Sequence, residues 1–265
     1  MVHAVRITPS GAATYCNRWV RTARLAAERA AGVPLFTKFG DYRGAWALIH
    51  MAVSGLRTLV GLKPKGELMD GTANTALAFH ASRLLALHEG SLPHQLRVAC
   101  DGLVSTVGRV FAGEVRHPFT AHPKIDPADG SMHALGYRLD KPPYLWYMQV
   151  DKEGTLVADV AIETPRPTMQ HDCAIAGPYF IFVDPPLVFK PDVMAASAAK
   201  MPFVYDTDQP LVREEAGGVV VGGARGSHRD ADTSPPLSSP FSASACCARA
   251  PPPATTRAGL SCRRA

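Results

Sequence analysis

The pattern of apolar and polar residues divides the chain into a part with helical spacing, a part made of short strands and a polar C-terminal part. Apolar residues recur near the helical period over residues 15–32 and again over residues 45–62, which predicts two helices. The second stretch carries Arg57 as its only formal charge. Its wide apolar surface is typical either of a helix packed on the protein body or of a helix that dips into a membrane surface.

From residue 71 onward, short apolar or alternating runs are separated by turn residues. Such regularly spaced short strands indicate an all-β sandwich, barrel or propeller. Two of the runs, at 144–150 and 156–162, flank the turn sequence Asp151-Lys152-Glu153-Gly154, which predicts a hairpin over residues 144–162.

The C-terminal part is rich in Ser, Pro, Ala and Arg and shows no periodic apolar face. Such a segment cannot bury enough apolar surface to offset the entropy lost on ordering, so we predict a disordered tail. The pattern therefore divides the chain into an N-terminal helical segment (1–62), a β domain (63–222) and a low-complexity tail (223–265).

Composition excludes some classes of function. The chain has 265 residues, 46% of them hydrophobic, and a formal net charge of +5. Part of that charge lies in the tail, and no basic stripe is interleaved with aromatic residues, so nucleic acid is not the expected partner. The six cysteines form no CxxC pair, which favours a reducing compartment over a disulfide framework or a zinc site. We expect no secretory signal and no membrane-spanning stretch.

Two of the ten histidines stand in a distinctive context. Pro123 pushes the backbone of His122 out of the helical region, ahead of a polar turn. His171 precedes the long apolar run at 174–183. Because 49 positions separate them (171 − 122), only a fold that brings separate strands to one centre unites them. The sequence therefore allows a metal held by separated imidazoles, beside the alternative of two unrelated histidines. Of the other eight histidines, five are expected at strand ends (80, 88) or in polar loops (94, 117, 133), and the rest at the N-terminus (3), in the second helix (50) and in the tail (228).

A set of linked segments sharpens this picture. Taken in order, they resemble the carotenoid cleavage oxygenase family, which includes the plant-type carotenoid dioxygenases and stilbene-cleaving and retinoid-isomerising members. The resemblance covers about residues 15–205. It is carried by YCNRWVRT (15–22), NTALA (74–78), LLALHE (84–89), FTAHPKIDP (119–127), PYL (143–145) and MQHDCAI (169–175).

The resemblance implies a seven-bladed β-propeller with a non-haem Fe(II) on its axis. Four histidines hold the iron, and glutamates outside the ligand set hydrogen-bond several of these imidazoles. His122 and His171 match the first two ligands, and Glu89 matches the first of the glutamates. Neutral imidazoles suit iron, and a carboxylate behind an imidazole fixes its tautomer.

The implied reaction is oxidative cleavage of a double bond in a carotenoid or apocarotenoid by O2, each new end becoming a carbonyl. The resemblance implies that the protein acts in a plastid or in the cytoplasm and that residues 45–62 make a peripheral contact with a membrane.

The sequence also departs from the family. His228 is the only histidine after His171, and its surroundings do not match the third or fourth ligand. Cys173 stands where the family usually has an aromatic residue, and Gln170 where it often has Met. We therefore expect a partial, truncated propeller. The alternative to an active dioxygenase is a truncated, catalytically inactive isoform or a faulty gene model lacking half of the iron site.

Overall fold

The computed structural model describes residues 1–37, 44–63, 71–100, 102–177, 179–193 and 201–206, and short strand segments at 215–216, 219–220 and 247–249. The N-terminal elements are β1 (Val2–Ile7), β2 (Ala13–Arg18), α1 (Ala23–Ala31) and α2 (Gly44–Leu59). Thereafter the described elements are strands: β3 (Ala76–His80), β4 (Arg83–Leu87), β5 (His94–Val98), β6 (Val104–Arg109), β7 (Lys124–Ile125), β8 (Met132–Tyr137), β9 (Leu145–Val150), β10 (Leu156–Ile162), β11 (Cys173–Ala176), β12 (Tyr179–Phe182), β13 (Leu187–Phe189), β14 (Phe203–Tyr205), β15 (Glu215–Ala216), β16 (Val219–Val220) and β17 (Cys247–Arg249).

The N-terminal part begins with a hairpin. Strands β1 and β2 pair antiparallel from Val2↔Arg18 to Ile7↔Ala13. Helix α1 then begins after Thr22, whose Oγ1 accepts a hydrogen bond from the backbone N–H of Leu25 at 3.1 Å. The helix predicted over residues 15–32 is therefore wrong for residues 15–22, since the apolar spacing there belongs to a paired strand and the turn that follows it.

Helix α2 confirms the second predicted helix, and most of its side chains face solvent. Gly44 and Ala47 are buried, whereas the large apolar residues are exposed. The helix is tied to the preceding segment by Arg57, whose Nη1 donates to the carbonyl of Leu35 at 3.1 Å. No helix among the described residues has the length and hydropathy needed to span a membrane.

The strands that follow form antiparallel sheets in chain order. The first sheet has the order β3-β4-β5-β6 and the second β10-β9-β8-β7. Hairpin β9–β10 confirms the hairpin predicted over residues 144–162. A third sheet has the order β11-β12-β17, and β13–β14 and β15–β16 are two-stranded. Successive four-stranded antiparallel sheets are the pattern of propeller blades.

The inner strands of the second sheet, β8 and β9, are buried on both faces. One apolar cluster joins this sheet to the first sheet through Leu85, Met132 and Met148. Another joins it to the third sheet through Leu135 and Phe180. Neighbouring residues of β8 thus serve opposite clusters, as expected from the two-residue period of a strand. Packing on two faces fixes how the ends of these sheets sit relative to one another.

The N-terminal hairpin packs on the first sheet. Val20 lies in a cluster with Leu96 and Val104, and the backbone N–H of Arg21 donates to Thr106 Oγ1 at 2.9 Å. Most of the tail prediction lies outside the described residues. Within 223–265, the described residues Cys247–Arg249 form β17, which pairs with β12.

Candidate metal centre

The structure brings His122 and His171 together from two different sheets. His122 lies two residues before β7 of the second sheet, and His171 two residues before β11 of the third. The centroids of the two imidazole rings are 4.7 Å apart, and the rings meet edge to face at 62°. The convergence expected from the sequence is therefore present in the fold.

Glu89, which extends from the first sheet, lies beside the two histidines. It follows the end of β4, and one potential ligand atom from each of the three residues lies within 4.8 Å of the other two. The Glu89 side chain is largely buried, with 16% of its surface exposed, whereas that of His171 is 62% exposed. The cluster is thus backed by protein on the Glu89 side and open on the His171 side.

The Glu89 carboxylate faces a different partner with each oxygen. Oε2 accepts a hydrogen bond from the hydroxyl of Tyr137 at 3.2 Å. Oε1 lies against Nδ1 of His171. Among the described residues no donor gives Oε1 a hydrogen bond of good geometry, although the atom is buried.

Two contacts that involve side chains link the segments that carry the two histidines. Lys124 Nζ lies 2.7 Å from Asp172 Oδ1, and the thiol of Cys173 donates to the carbonyl of His122 across 3.7 Å. Burial raises the pKa of the Cys173 thiol to about 12, so it stays a thiol and a donor. Burial opposes ionisation of Asp172, but hydrogen bonds from Lys124 and from its neighbouring N–H outweigh it and lower the pKa of Asp172.

This donor set fits a divalent transition metal. Imidazole nitrogens are ligands for iron, zinc and copper ions. With Nδ1 of His171 turned toward the buried Oε1 of Glu89, Nε2 is the nitrogen that keeps its lone pair for a metal. The residues present are therefore suited to hold such an ion.

Two other histidines lie elsewhere than predicted, and a third is buried. His94 begins β5, His133 lies in β8, and each of them, like His117, is 3% exposed. The prediction of polar loops was wrong for His94 and His133, which lie in strands, whereas His117 lies in a buried bend between β6 and β7. His133 lies between Ser131 Oγ (2.9 Å) and Tyr147 Oη (2.8 Å), so both of its ring nitrogens are occupied by hydrogen bonds to side chains. Buried histidines with such partners are structural.

Sequence reasoning missed Tyr137, Lys124 and Asp172. The last two carried a signal, because residues of opposite charge stand beside each proposed ligand in FTAHPKIDP and MQHDCAI. Tyr137 carried none, since 48 positions separate it from Glu89.

Known proteins share this arrangement of elements and motifs. Residues 1–212 match the family described as Retinal pigment epithelial membrane protein. The chain is 41% identical over 207 residues to carotenoid 9,10(9′,10′)-cleavage dioxygenase 1 of Arabidopsis thaliana, covering 78% of this chain and 38% of that protein. It is 34% identical over 208 residues to a chloroplastic 9-cis-epoxycarotenoid dioxygenase of the same plant, covering 78% and 36%. The chain thus spans less than two fifths of the length of these relatives.

Solved structures agree on the fold. A lignostilbene dioxygenase of Pseudomonas brassicacearum superposes with a TM-score of 0.59 at 30% identity, covering 78% of this chain and 39% of that one. A variant of Synechocystis apocarotenoid oxygenase superposes with a TM-score of 0.56 at 23% identity, covering 78% and 43%. The described strands are therefore part of the carotenoid oxygenase type of fold.

Proposed function

The chain belongs to the retinal pigment epithelial membrane protein family of carotenoid cleavage oxygenases, and from this premise we propose that it serves the oxidative cleavage of a double bond in a carotenoid or apocarotenoid by O2 at a bound Fe(II). The observation that supports this proposal is the meeting of His122, His171 and Glu89 from three separate sheets. Chance proximity of two imidazoles would not explain a carboxylate directed at one of them.

Each residue of the cluster has a distinct task. His122 and His171 bind Fe(II) through imidazole nitrogens. Glu89 accepts a hydrogen bond from the Nδ1–H of His171, so that Nε2 is the nitrogen left for the metal. When bound, Fe(II) supplies the activation of O2 that a polyene alone cannot provide. The Lys124–Asp172 pair and the Cys173 thiol hold together the two segments that carry the histidines. Positioning of this kind is what a catalytic metal requires of the protein around it.

Metal retention tests the ligand assignment. The purified chain is loaded with Fe(II) without oxygen, desalted and assayed for iron. We expect iron to be retained by the wild type and lost from His122→Ala and His171→Ala. His3→Ala is the matched control, because His3 is exposed on the N-terminal hairpin and contacts Tyr15 instead of the cluster. Full iron retention by either ligand variant would remove that histidine from the site.

Bleaching of an apocarotenoid in detergent micelles tests the reaction on the same samples. Loss of the visible absorption, with formation of aldehyde products, supports oxidative cleavage. Iron retention without bleaching would favour the alternative of a catalytically inactive isoform that keeps part of the metal site.

We further propose that α2 rests on a membrane surface, from which an apolar polyene can be taken up. Trp46, Leu56 and Leu59 are 69%, 58% and 78% exposed, and other large apolar residues on the helix are also exposed. A contiguous exposed apolar surface of this kind marks an interaction site, and an amphipathic helix in the membrane interface buries it. Relatives named as chloroplastic make a plastid membrane the proposed location.

Flotation with phosphatidylcholine vesicles tests this contact, because neutral lipid leaves burial of apolar surface as the driving force. We expect the wild type to float with the vesicles and a Leu56→Asp/Leu59→Asp double variant to remain in solution. Leu77→Asp is the matched control, since Leu77 is 51% exposed on β3. Equal flotation of all three proteins would contradict the assignment of α2.

A further inference from the structure

Tyr137 connects the second sheet to the cluster through Glu89. It is the last residue of β8, it is half-buried, and it packs against the apolar cluster that includes Leu135 and Leu145. Its ring is therefore held by the core, while its hydroxyl reaches out and donates to Oε2 of Glu89. A donor carried on a buried ring has a well-defined position.

The direction of this hydrogen bond follows from the surroundings of the phenol. Burial and the nearby Glu89 carboxylate both raise the pKa of Tyr137 above its ordinary value. The phenol therefore stays protonated at neutral pH, and its O–H is available as a donor. Glu89 is the acceptor, and the bond holds Oε2 toward Tyr137.

The backbone of Glu89 is also fixed. It sits in a tight turn in which the N–H of Gly90 donates to Nδ1 of His88 at 3.0 Å and the N–H of Ser91 donates to the carbonyl of His88 at 3.2 Å. With the backbone held by this turn and Oε2 held by Tyr137, rotation of the carboxylate is restricted. Oε1 is then directed at Nδ1 of His171.

We propose that Tyr137 is a positioning residue that holds the Glu89 carboxylate so that it keeps the proton of His171 on Nδ1 and leaves Nε2 free to bind the metal. The inference rests on the metal site of the proposed function. It adds a third layer to that site, in which a phenol orients a carboxylate and the carboxylate orients an imidazole. Such outer partners tune both the tautomer and the basicity of a ligand.

Tyr137→Phe tests the inference because it removes only the hydroxyl. The matched control is Tyr147→Phe on the neighbouring strand, which also removes a buried hydroxyl but one whose partner is His133. Two readouts are compared: the tautomer of His171 in the metal-free protein, from long-range proton–nitrogen NMR correlations, and the affinity for Co(II), from calorimetry. Thermal unfolding of both variants reports any general loss of stability.

We expect Tyr137→Phe to give a mixture of His171 tautomers and to weaken Co(II) binding by about 10- to 100-fold, the usual range for such outer partners. Tyr147→Phe should leave both readouts as in the wild type, even where its thermal stability falls equally. A wild-type tautomer and wild-type affinity in Tyr137→Phe would overturn the inference. So would an equal loss of affinity in Tyr147→Phe, since that would indicate a general effect on folding.

A double variant distinguishes action of Tyr137 through Glu89 from a general effect of Tyr137→Phe on the protein. Because Tyr137 acts through Glu89, removing the hydroxyl should matter little once the carboxylate is gone. The double variant Glu89→Gln/Tyr137→Phe should therefore bind Co(II) as Glu89→Gln does, and additive losses would contradict the mechanism. If the wild type binds no Co(II), the proposed function fails, while the tautomer comparison in the metal-free protein still decides the role of Tyr137.

Discussion

Replacing Gly136 by alanine should strongly destabilise the protein, because β8 passes very close to His117 at this position. A Cβ at residue 136 would lie 2.2 Å from Nδ1 of His117 and 2.3 Å from the carbonyl oxygen of Pro118. Neither neighbour can easily retreat. The backbone carbonyl is fixed, and the imidazole is 3% exposed and stacked on Trp146 with ring centroids 4.5 Å apart.

Two costs set the size of the effect. Overpacking of a filled site costs about 1–3 kcal/mol. Displacing the imidazole also breaks its hydrogen bonds, to Asp159 at 2.8 Å and to the carbonyl of Pro118 at 2.9 Å, and a buried polar group left without its partner costs about 1–3 kcal/mol. We expect a net loss of about 3 kcal/mol, which for a protein of this size lowers Tm by roughly 6–12 °C.

Urea unfolding followed by fluorescence and far-ultraviolet circular dichroism measures this loss. Gly108→Ala is the matched control: Gly108 also lies in a strand, but nothing is within 4 Å of its added Cβ. That variant should stay within about 0.5 kcal/mol of the wild type. A Gly136→Ala protein as stable as the wild type, or an equal loss in Gly108→Ala, would refute the argument from close contact.

Three further predictions concern acid, metal and the link between the histidine segments. Burial lowers the pKa of His94 and His133 in the folded protein, so below about pH 6.5 the unfolded chain binds more protons than the folded one. Urea titrations should therefore show the free energy of unfolding falling as the pH drops toward the folded-state pKa values. The fall is at most about 1.4 kcal/mol per pH unit for each group. A pH-independent midpoint between pH 7.5 and 5.5 would contradict this. Co(II) at 100 times its Kd should raise the free energy of unfolding by about 2.7 kcal/mol in the wild type and not in His171→Ala. Lys124→Met, which removes the partly exposed pair with Asp172, should cost only about 0.2–1 kcal/mol in the same titrations, and a larger loss would show that the pair is more than a surface link.

Local pattern was sufficient for much of the fold. Turn residues and short apolar runs predicted β9 and β10 of the second sheet and the hairpin that they form. The same reasoning failed over residues 15–22, because an apolar spacing near the helical period also fits a strand followed by a turn. Pairing with β1, which periodicity does not record, settled the structure of residues 13–18.

The sequence by itself predicted which residues form the proposed metal site. His122, His171 and Glu89 stand in recognisable motifs, since a metal site needs particular side chains at particular places along the chain. Only the tertiary structure decided how they meet. Burial of β8 and β9 on both faces brings three sheets together. Glu89 then lies against Nδ1 of His171, and the hydroxyl of Tyr137 lies against Glu89. Contacts between residues 48 or 82 positions apart depend on sheet packing and strand register, and local sequence pattern does not encode either one.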